Sequence, residues 1–315
     1  MTKFINVFLF VLLCLIWGSS FILMKFGLYD QNNQVVLTAN QVAALRVFSA
    51  GLALLPFFIA TVKKYPAGTW TYILLSALLG MFFPAFLFCI AETRLDSGIA
   101  GMLNALTPFF VILFGFFIFK TSIPRIQLLG IIIGFGGIVL LVAGADHLSF
   151  NSLGYSGFIV LATVSYGLNN NIIKYKLAEV PAFTIVILSL VSLIIPSGLI
   201  LWFSGFFQLP LGEPVYIKST LATVVLGVIG SAIAWVILYT LIKRGGVIFA
   251  SAITFVIPIV ALFWGWSYGE GITGVQIISL AIILAGVYLT TPLFQKHKEL
   301  FSRSVHTNDA GRAGD

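Results

Sequence analysis

Charged residues are scarce in this sequence. Only 9% of its 315 residues are Asp, Glu, Lys or Arg, whereas 60% are hydrophobic. A soluble globular domain has about 25% charged residues, so the composition excludes that class and predicts a protein that crosses a membrane several times. The net charge of +7 would indicate nucleic-acid binding in a soluble protein. Here the basic residues fall at the ends of apolar runs, so we interpret them as a topology signal and expect no nucleic-acid partner.

Cysteine and histidine are also scarce, and their positions exclude several chemistries. Cys14 and Cys89 both lie in apolar runs, so no disulfide framework is expected. His147, His297 and His306 fall in predicted loops or in the C-terminal tail, and no metal-ligand spacing appears. No two carboxylates share an apolar run, and the ATP-binding pattern GxxxxGKS/T is absent. We therefore expect neither an enzyme nor a bound cofactor or metal.

Long apolar runs take up most of the chain, and each can cross a hydrocarbon core of about 30 Å as a helix. The first run begins directly after Lys3 and has no small-residue cleavage site, so we interpret it as a retained helix and not as a signal peptide. The predicted fold class is an all-α membrane protein with ten transmembrane helices. They span residues 4–27, 37–61, 70–91, 98–119, 126–144, 153–173, 183–204, 219–241, 247–269 and 274–293.

The distribution of Lys and Arg predicts the orientation in the membrane. Ten spans place both termini on one side. If that side is the cytoplasm, twelve Lys and Arg residues lie at inner connections and three lie outside. Inner connections are enriched in these residues, so we expect cytoplasmic termini. The inner set is Lys3, Lys63, Lys64, Lys120, Arg125, Lys174, Lys176, Lys243, Arg244, Lys296, Lys298 and Arg303, and the outer set is Lys25, Arg94 and Lys218.

Patterns of the first half recur in the second. Pro108 and Pro258, 150 residues apart, each lie in the middle of an apolar run, and Gly137 recurs as Gly286. Five spans are an odd number, so the second half must be inverted relative to the first. Inverted repeats with interrupted helices are typical of carriers that work by alternating access, although a duplication kept only for folding is an alternative.

The repeat divides the chain into three parts. We predict a first five-helix repeat at 1–145 and a second, inverted one at 150–293. Residues 294–315 are polar and are expected to form a disordered cytoplasmic tail.

Three stretches have a family resemblance. WGSSF at 17–21, SGIAGMLNALTPFF at 97–110 and the glycine-rich run at 130–141 resemble EamA-type members of the drug/metabolite transporter superfamily. The resemblance extends over about residues 4–292. It implies a ten-helix carrier of the bacterial inner membrane, usually an exporter of amino acids or other small metabolites. It also implies that helices 1, 3, 4, 6, 8 and 9 line a central cavity, with helices 5 and 10 at the periphery.

Small residues dominate one region of the fifth span. Gly130, Gly134 and Gly137 allow close contact with another helix, and almost nothing polar accompanies them. We interpret this surface as packing within the chain, and a homodimer seam is the alternative.

Polar and aromatic residues within apolar spans are the candidates for substrate binding, because such groups are costly in a membrane. For each Ser or Thr the alternative is a hydrogen bond to its own helix, and for each Trp it is core packing. The candidate substrate-binding set is Trp17, Ser20, Arg46, Glu92, Asn104, Thr107, Tyr166, Asn170, Trp235, Tyr239 and Thr254.

Four further residues are candidates for gating. Pro108 and Pro258 would loosen the two central helices, although proline is common in transmembrane helices for other reasons. Lys25 and Lys174 occupy corresponding positions near opposite membrane faces. Either these lysines pair with acidic residues when a gate closes, or their ammonium groups reach the nearest interface.

Arg46 allows three interpretations. If its helix begins at 37, the guanidinium lies on the order of 13 Å into the membrane, whereas a start at 41 would let it extend to the surface. At depth it needs a partner or a wet cavity, because Arg keeps its charge. It then either pairs with Glu92 or binds a substrate carboxylate.

These observations favour a secondary membrane transporter that exports a small metabolite, such as an amino acid, by alternating access. Its partners would be a small-molecule substrate, the lipid bilayer and, as an option left open, a proton. The alternatives are a flippase for a lipid-like molecule or drug, and a membrane scaffold that transports nothing.

Overall fold

The computed structural model describes residues 2–62, 65–122, 124–143, 150–251 and 253–290. In these residues the chain is built from helices and short connections, with one isolated backbone bridge between Tyr29 and Val35. The expected all-α fold is therefore confirmed. The predicted tail at 294–315 and all three histidines lie outside the described residues.

Seven helices make up the first four apolar runs. The second run bends through a 3₁₀ turn at Leu55–Phe57, and the third contains a π-helical segment at Ala77–Phe82. The fourth is interrupted between Asn104 and Thr107. The helices are α1 (Thr2–Leu28), α2 (Ala39–Leu54), α3 (Phe58–Thr61), α4 (Ala67–Ser76), α5 (Phe83–Ala91), α6 (Ser97–Asn104) and α7 (Thr107–Phe117).

Eight further helices follow. A second π-helical segment, Val228–Ile233, joins two of them and lies in the eighth predicted span, as the first one, Ala77–Phe82, lies in the third. The helices are α8 (Arg125–Ala143), α9 (Phe150–Tyr175), α10 (Ala182–Ser192), α11 (Ile194–Phe203), α12 (Pro214–Gly227), α13 (Ala234–Ser251), α14 (Ile253–Ser267) and α15 (Gly274–Thr290).

Six helical runs are long and apolar enough to cross a membrane, by length and composition. Three shorter apolar helices, within α8, α14 and α15, accompany them. The chain is therefore a multi-pass membrane protein, and the count of ten spans stays a prediction. The six runs are Phe4–Leu28, Ala39–Thr61, Ala67–Ala91, Ser97–Phe117, Ala182–Phe203 and Pro214–Arg244.

A capping box fixes where α2 begins. The Thr38 hydroxyl accepts a hydrogen bond from the Gln41 backbone N–H, and the Thr38 N–H donates to the Gln41 side chain. Such reciprocal bonds satisfy backbone groups that a helix end leaves free. Arg46 is the eighth residue of α2, about 10 Å along its axis. Its side chain is 8% exposed, which excludes an arginine that extends to the surface.

Each half of the chain packs mainly against the other. Helix α1 lies against α12 and α14, whereas α9 lies against α5 and α7. Helix α2 packs on α11 and α12. The helices therefore interleave around a common centre instead of forming two separate bundles.

Helices α8 and α15 form a pair at the side of this bundle. The glycine surface of α8 is filled by α15 of the same chain: a Cβ atom on Gly286 would lie 2.5 Å from the Gly134 Cα atom. Gly137 likewise faces Ile283. These contacts agree with packing within the chain, and α15 occupies the surface that a homodimer seam would need.

Candidate functional site

A cavity lies at the centre of the bundle, where α1, α2, α5, α6, α7, α9, α13 and α14 converge. Nine of the eleven candidate substrate-binding residues line it, and so does Pro108. The nine are Trp17, Ser20, Arg46, Asn104, Thr107, Tyr166, Asn170, Trp235 and Thr254. Their role in binding stays a prediction.

Aromatic rings form one wall of this cavity. The Trp17 and Trp235 rings meet edge to face with their centroids 5.4 Å apart, and Tyr166 lies 5.8 Å from Trp235. Phe88 stacks on Tyr166 at 6.1 Å. Trp17 is held in place because its indole N–H donates to the Gly230 carbonyl oxygen at 3.1 Å. That carbonyl belongs to the second π-helical segment, where the widened turn alters the normal helical pairing.

Arg46 supplies a positive charge to the cavity. Its Nε atom donates to the Ser231 hydroxyl at 2.8 Å, and its Nη1 atom lies 3.8 Å from the Met24 sulfur. Within the described part of the chain these are its hydrogen-bond partners, and neither is charged. The guanidinium is therefore buried, oriented and left without a hydrogen bond to a carboxylate.

Glu92 lies apart from the cavity and does not pair with Arg46. Its side chain is fully buried, and neither carboxyl oxygen has a hydrogen-bond partner among the described residues. One turn earlier on α5, the Cys89 thiol donates to the Met24 sulfur at 3.7 Å. Met24 therefore contacts both Arg46 and Cys89. Of the two interpretations at depth, the hydrogen bonds favour the cavity-facing arginine over the Arg46–Glu92 pair.

The interruption between α6 and α7 places backbone groups at the cavity. Ala105 and Leu106 form tight 3₁₀-type bonds to Met102 and Leu103. Pro108 cannot donate a backbone hydrogen bond, and the Thr107 hydroxyl bonds the Asn104 carbonyl at 2.9 Å. Discontinuous helices of this kind line substrate sites in carriers.

Tyr239 does not line the cavity. It is fully buried behind Trp235, where its hydroxyl bonds the Asn169 amide at 3.1 Å and the Ser76 hydroxyl at 3.3 Å. Tyr239 therefore supports the aromatic wall of the cavity, because Trp235 packs on it with ring centroids 5.3 Å apart.

The remaining gating candidates also lie away from the cavity. The Lys25 ammonium lies 6.0 Å from the Tyr29 ring, and the Lys174 ammonium lies 4.7 Å from the Tyr175 ring. Pro258 is inside the continuous helix α14, in contrast to Pro108. A role of these residues in gating stays a prediction.

Two ends of the molecule differ in charge. We call the end that contains Glu92 and Glu270 the glutamate end, and the end that contains Lys120, Lys174 and Lys243 the lysine end. At the glutamate end the Glu270 carboxylate accepts hydrogen bonds from the Ser97 N–H at 3.1 Å and the Gly98 N–H at 3.4 Å. It thus caps the start of α6 and ties this helix to the connection after α14.

The lysine end is held by a different contact. The Lys243 ammonium donates to the carbonyl oxygens of Leu177 at 3.1 Å and Ala178 at 2.7 Å, and also to that of Val180. These carbonyls lie just beyond the end of α9. The cavity extends from Arg46 towards this end, since Ile242 and Ala250 line it there.

Sequence reasoning missed the apolar part of the lining and several supporting groups. Apolar residues and methionine are common throughout transmembrane helices, so their presence does not indicate which of them line a cavity. Ser231 was also missed, although a polar residue beside Gly230 in an apolar run was a usable sign. The missed lining residues are Phe21, Met24, Phe88, Val111, Leu238, Ile242, Ala250, Ile253 and Ile257.

Apolar helices around a central cavity with a few oriented polar groups define the class of multi-pass membrane transporters. The chain belongs to the EamA-like transporter family, whose model matches residues 4–143 and 154–291. The resemblance seen in the sequence is therefore confirmed, and the protein is a transporter, a class distinct from enzymes.

Individual relatives are distant. The chain is 23% identical over 291 residues to the uncharacterized transporter YoaV of Bacillus subtilis, covering 90% of this chain and 96% of the relative. It is 25% identical over 291 residues to a probable amino-acid metabolite efflux pump of Salmonella typhimurium, covering 90% and 93%. A solved crystal structure shares the fold with a TM-score of 0.64 at 19% identity, covering 92% of this chain and 98% of that one.

Proposed function

We propose that the protein is a secondary transporter that exports a small, carboxylate-bearing metabolite, such as an amino acid with an apolar side chain. The observation on which this rests is Arg46. Its permanently charged guanidinium is buried and faces the cavity. Among the described residues, its hydrogen-bond partners are neutral groups alone. Arg binds carboxylates well because its planar donors match their two oxygens.

The other walls support the same substrate class. Trp17, Trp235 and Tyr166 offer a rigid aromatic surface, and Ile253 and Ile257 add aliphatic area. Such a wall would bind an apolar side chain, while the amide of Asn170 could bond an ammonium or hydroxyl group. The efflux-pump relative, whose name mentions amino-acid metabolites, supports this choice at low identity.

Alternating access is the mechanism that we propose. The two halves, 1–145 and 150–293, would be inverted five-helix repeats, giving ten spans in all. Matching π-helical segments at Ala77–Phe82 and Val228–Ile233 support the repeat, and so do the matching partners of α1 and α9. Repeats of this kind can exchange conformations around a central site.

The orientation that we propose puts the lysine end in the cytoplasm, together with both termini, in the inner membrane of a bacterium. Basic residues favour that side. The cavity would then extend towards the cytoplasm, while the contact of Glu270 with Ser97 and Gly98 closes the opposite end. This is the conformation in which an exporter takes up its substrate.

Transport into and out of proteoliposomes tests the substrate class. L-leucine serves as the probe and L-leucinamide, which lacks the carboxylate, as the matched analogue. A charge-assisted hydrogen bond contributes about 1.5–3 kcal/mol, so Arg46→Gln should weaken leucine binding about tenfold to a hundredfold. Arg46→Lys keeps the charge but cannot reproduce the bond to Ser231, so we expect a smaller loss.

The control is Lys218→Gln, which removes an exposed cation far from the cavity and should leave leucine transport unchanged. Equal affinity of the wild type and Arg46→Gln for leucine would overturn the carboxylate site. Movement of a fluorescent phospholipid across the same vesicles, without leucine transport, would favour the flippase instead.

A further inference from the structure

An acidic residue that the cavity does not use occupies the glutamate end. Glu92 is 0% exposed, and both of its carboxyl oxygens are buried without a hydrogen-bond partner among the described residues. Burying a carboxylate without hydrogen bonds costs so much free energy that the group takes up a proton instead. The geometry therefore describes a neutral carboxylic acid.

Charged and titratable groups surround Glu92 on several elements, but none bonds it. Lys25 and Tyr29 approach from α1 and its extension, Arg46 from α2, and Glu270 from the connection after α14. Cys89 lies one turn before it on α5. The Lys25 ammonium lies towards the Tyr29 ring, and the Tyr29 hydroxyl donates to the Thr93 carbonyl at 3.1 Å.

Two sulfur atoms connect Arg46 with the turn of α5 that precedes Glu92. The Met24 sulfur contacts the Arg46 Nη1 atom at 3.8 Å and the Cys89 sulfur at 3.7 Å. A thioether is a weak hydrogen-bond acceptor, so these contacts do not provide Arg46 with a strong partner. If Glu92 were ionised, its charge would attract the guanidinium through the low-dielectric interior and compete with a substrate carboxylate.

We propose that Glu92 is a proton-binding site coupled to substrate binding: it holds a proton while a substrate carboxylate occupies Arg46. The protonated acid leaves the full positive charge of Arg46 to the substrate. Because such coupling is reciprocal, substrate binding favours proton uptake by Glu92, and a proton on Glu92 tightens substrate binding. The inference rests on the proposed carboxylate binding at Arg46.

Infrared difference spectra of the purified protein test the proton itself, without any substrate. Only a protonated carboxyl group gives the C=O stretching band of a carboxylic acid. We expect this band in the wild type at neutral pH and its loss in Glu92→Gln. Glu213→Gln is the matched control, because it removes an exposed carboxyl group and should leave the band in place. Absence of the band in the wild type would overturn the inference.

Equilibrium binding of radiolabelled L-leucine at a series of pH values tests the coupling. When one proton is linked to binding, affinity falls by up to about tenfold for each unit of pH once Glu92 releases its proton. We expect this fall in the wild type and in Glu213→Gln, and a flat profile in Glu92→Gln. A wild-type profile as flat as that of Glu92→Gln would overturn the coupling.

The two proposals fail in different ways. Equal binding of L-leucine and L-leucinamide would overturn the carboxylate site at Arg46, although the infrared band of Glu92 would persist. Loss of the infrared band together with intact, Arg46-dependent leucine binding would overturn the proton site and leave the substrate class in place.

Discussion

Two backbones meet at Gly286. A Cβ atom there would lie 2.4 Å from the Gly134 nitrogen and 2.6 Å from the Gly130 carbonyl oxygen. Both are backbone atoms within α8, so they cannot move aside as the end of a flexible side chain could. The contact depends on small residues, which is how helices approach closely in a membrane.

Substitution of this glycine should loosen the α8–α15 pair. We expect Gly286→Ala to lower the free energy of unfolding by about 1–3 kcal/mol, the typical cost of overpacking, seen as a lower melting temperature in detergent. The control is Gly136→Ala on α8, where a Cβ atom meets nothing within 4 Å. An unchanged melting temperature in Gly286→Ala would mean that the two helices separate at little cost.

At the residue scale, the sequence predicted which polar side chains line the cavity better than it predicted the apolar residues around them. Arg46, Asn104 and Thr254 were named because polar atoms are costly in a membrane, and all three line the cavity. Tyr239 was named for the same reason and lies behind the wall instead. A helix that is apolar all round does not reveal which face turns inward, so the sequence could not distinguish Tyr239 from Trp235.

At the scale of helices, the two central prolines have different surroundings. Pro108 is the second residue of α7, directly after an interruption, whereas Pro258 lies within α14. Their spacing in the sequence predicted equal roles. The π-helical segments were not predicted, because no residue type specifies such a turn. Gly80 and Gly230 within them were the available sign. A Cβ atom on Gly80 would meet the Asn169 side chain of α9, and one on Gly230 would meet the Ser20 hydroxyl of α1.

Replacing each proline separately measures its contribution to transport. Pro108→Ala restores a backbone donor and removes the ring that keeps α6 and α7 apart, so we expect a severalfold lower transport rate with normal membrane insertion. Pro258→Ala changes a helix that is already continuous and should have a smaller effect. Rates of leucine exchange in proteoliposomes measure both. A wild-type rate in Pro108→Ala would show that transport does not depend on the proline at the interruption.

At the scale of the whole molecule, composition was enough to predict a helical membrane protein, whereas the inverted repeat stays a prediction. The sequence could not predict how the two halves of the chain interleave, because packing of α2 on α11 and α12 depends on complementary shapes and not on hydropathy. The side of the membrane on which each end lies stays a prediction from the distribution of charge.

Reporter fusions determine the orientation. The excess of Lys and Arg at the lysine end predicts that fusions after Lys64 and Lys298 are cytoplasmic, and that one after Asp146 is external. Alkaline phosphatase and a fluorescent protein report the two sides. An external signal after Lys298 together with a cytoplasmic signal after Lys64 would exclude an even number of spans and, with it, the inverted repeat.

The interleaving of helices has a consequence for biosynthesis. Helix α1 is made first, yet it packs on α12 and α14, which are made late. The first helices therefore stay in the bilayer without these partners until synthesis of the chain is nearly complete. Until then Arg46 lacks its hydrogen bond to Ser231. During that interval the nascent chain exposes a charged residue to lipid, which makes it a natural client for insertases and for membrane quality-control proteases.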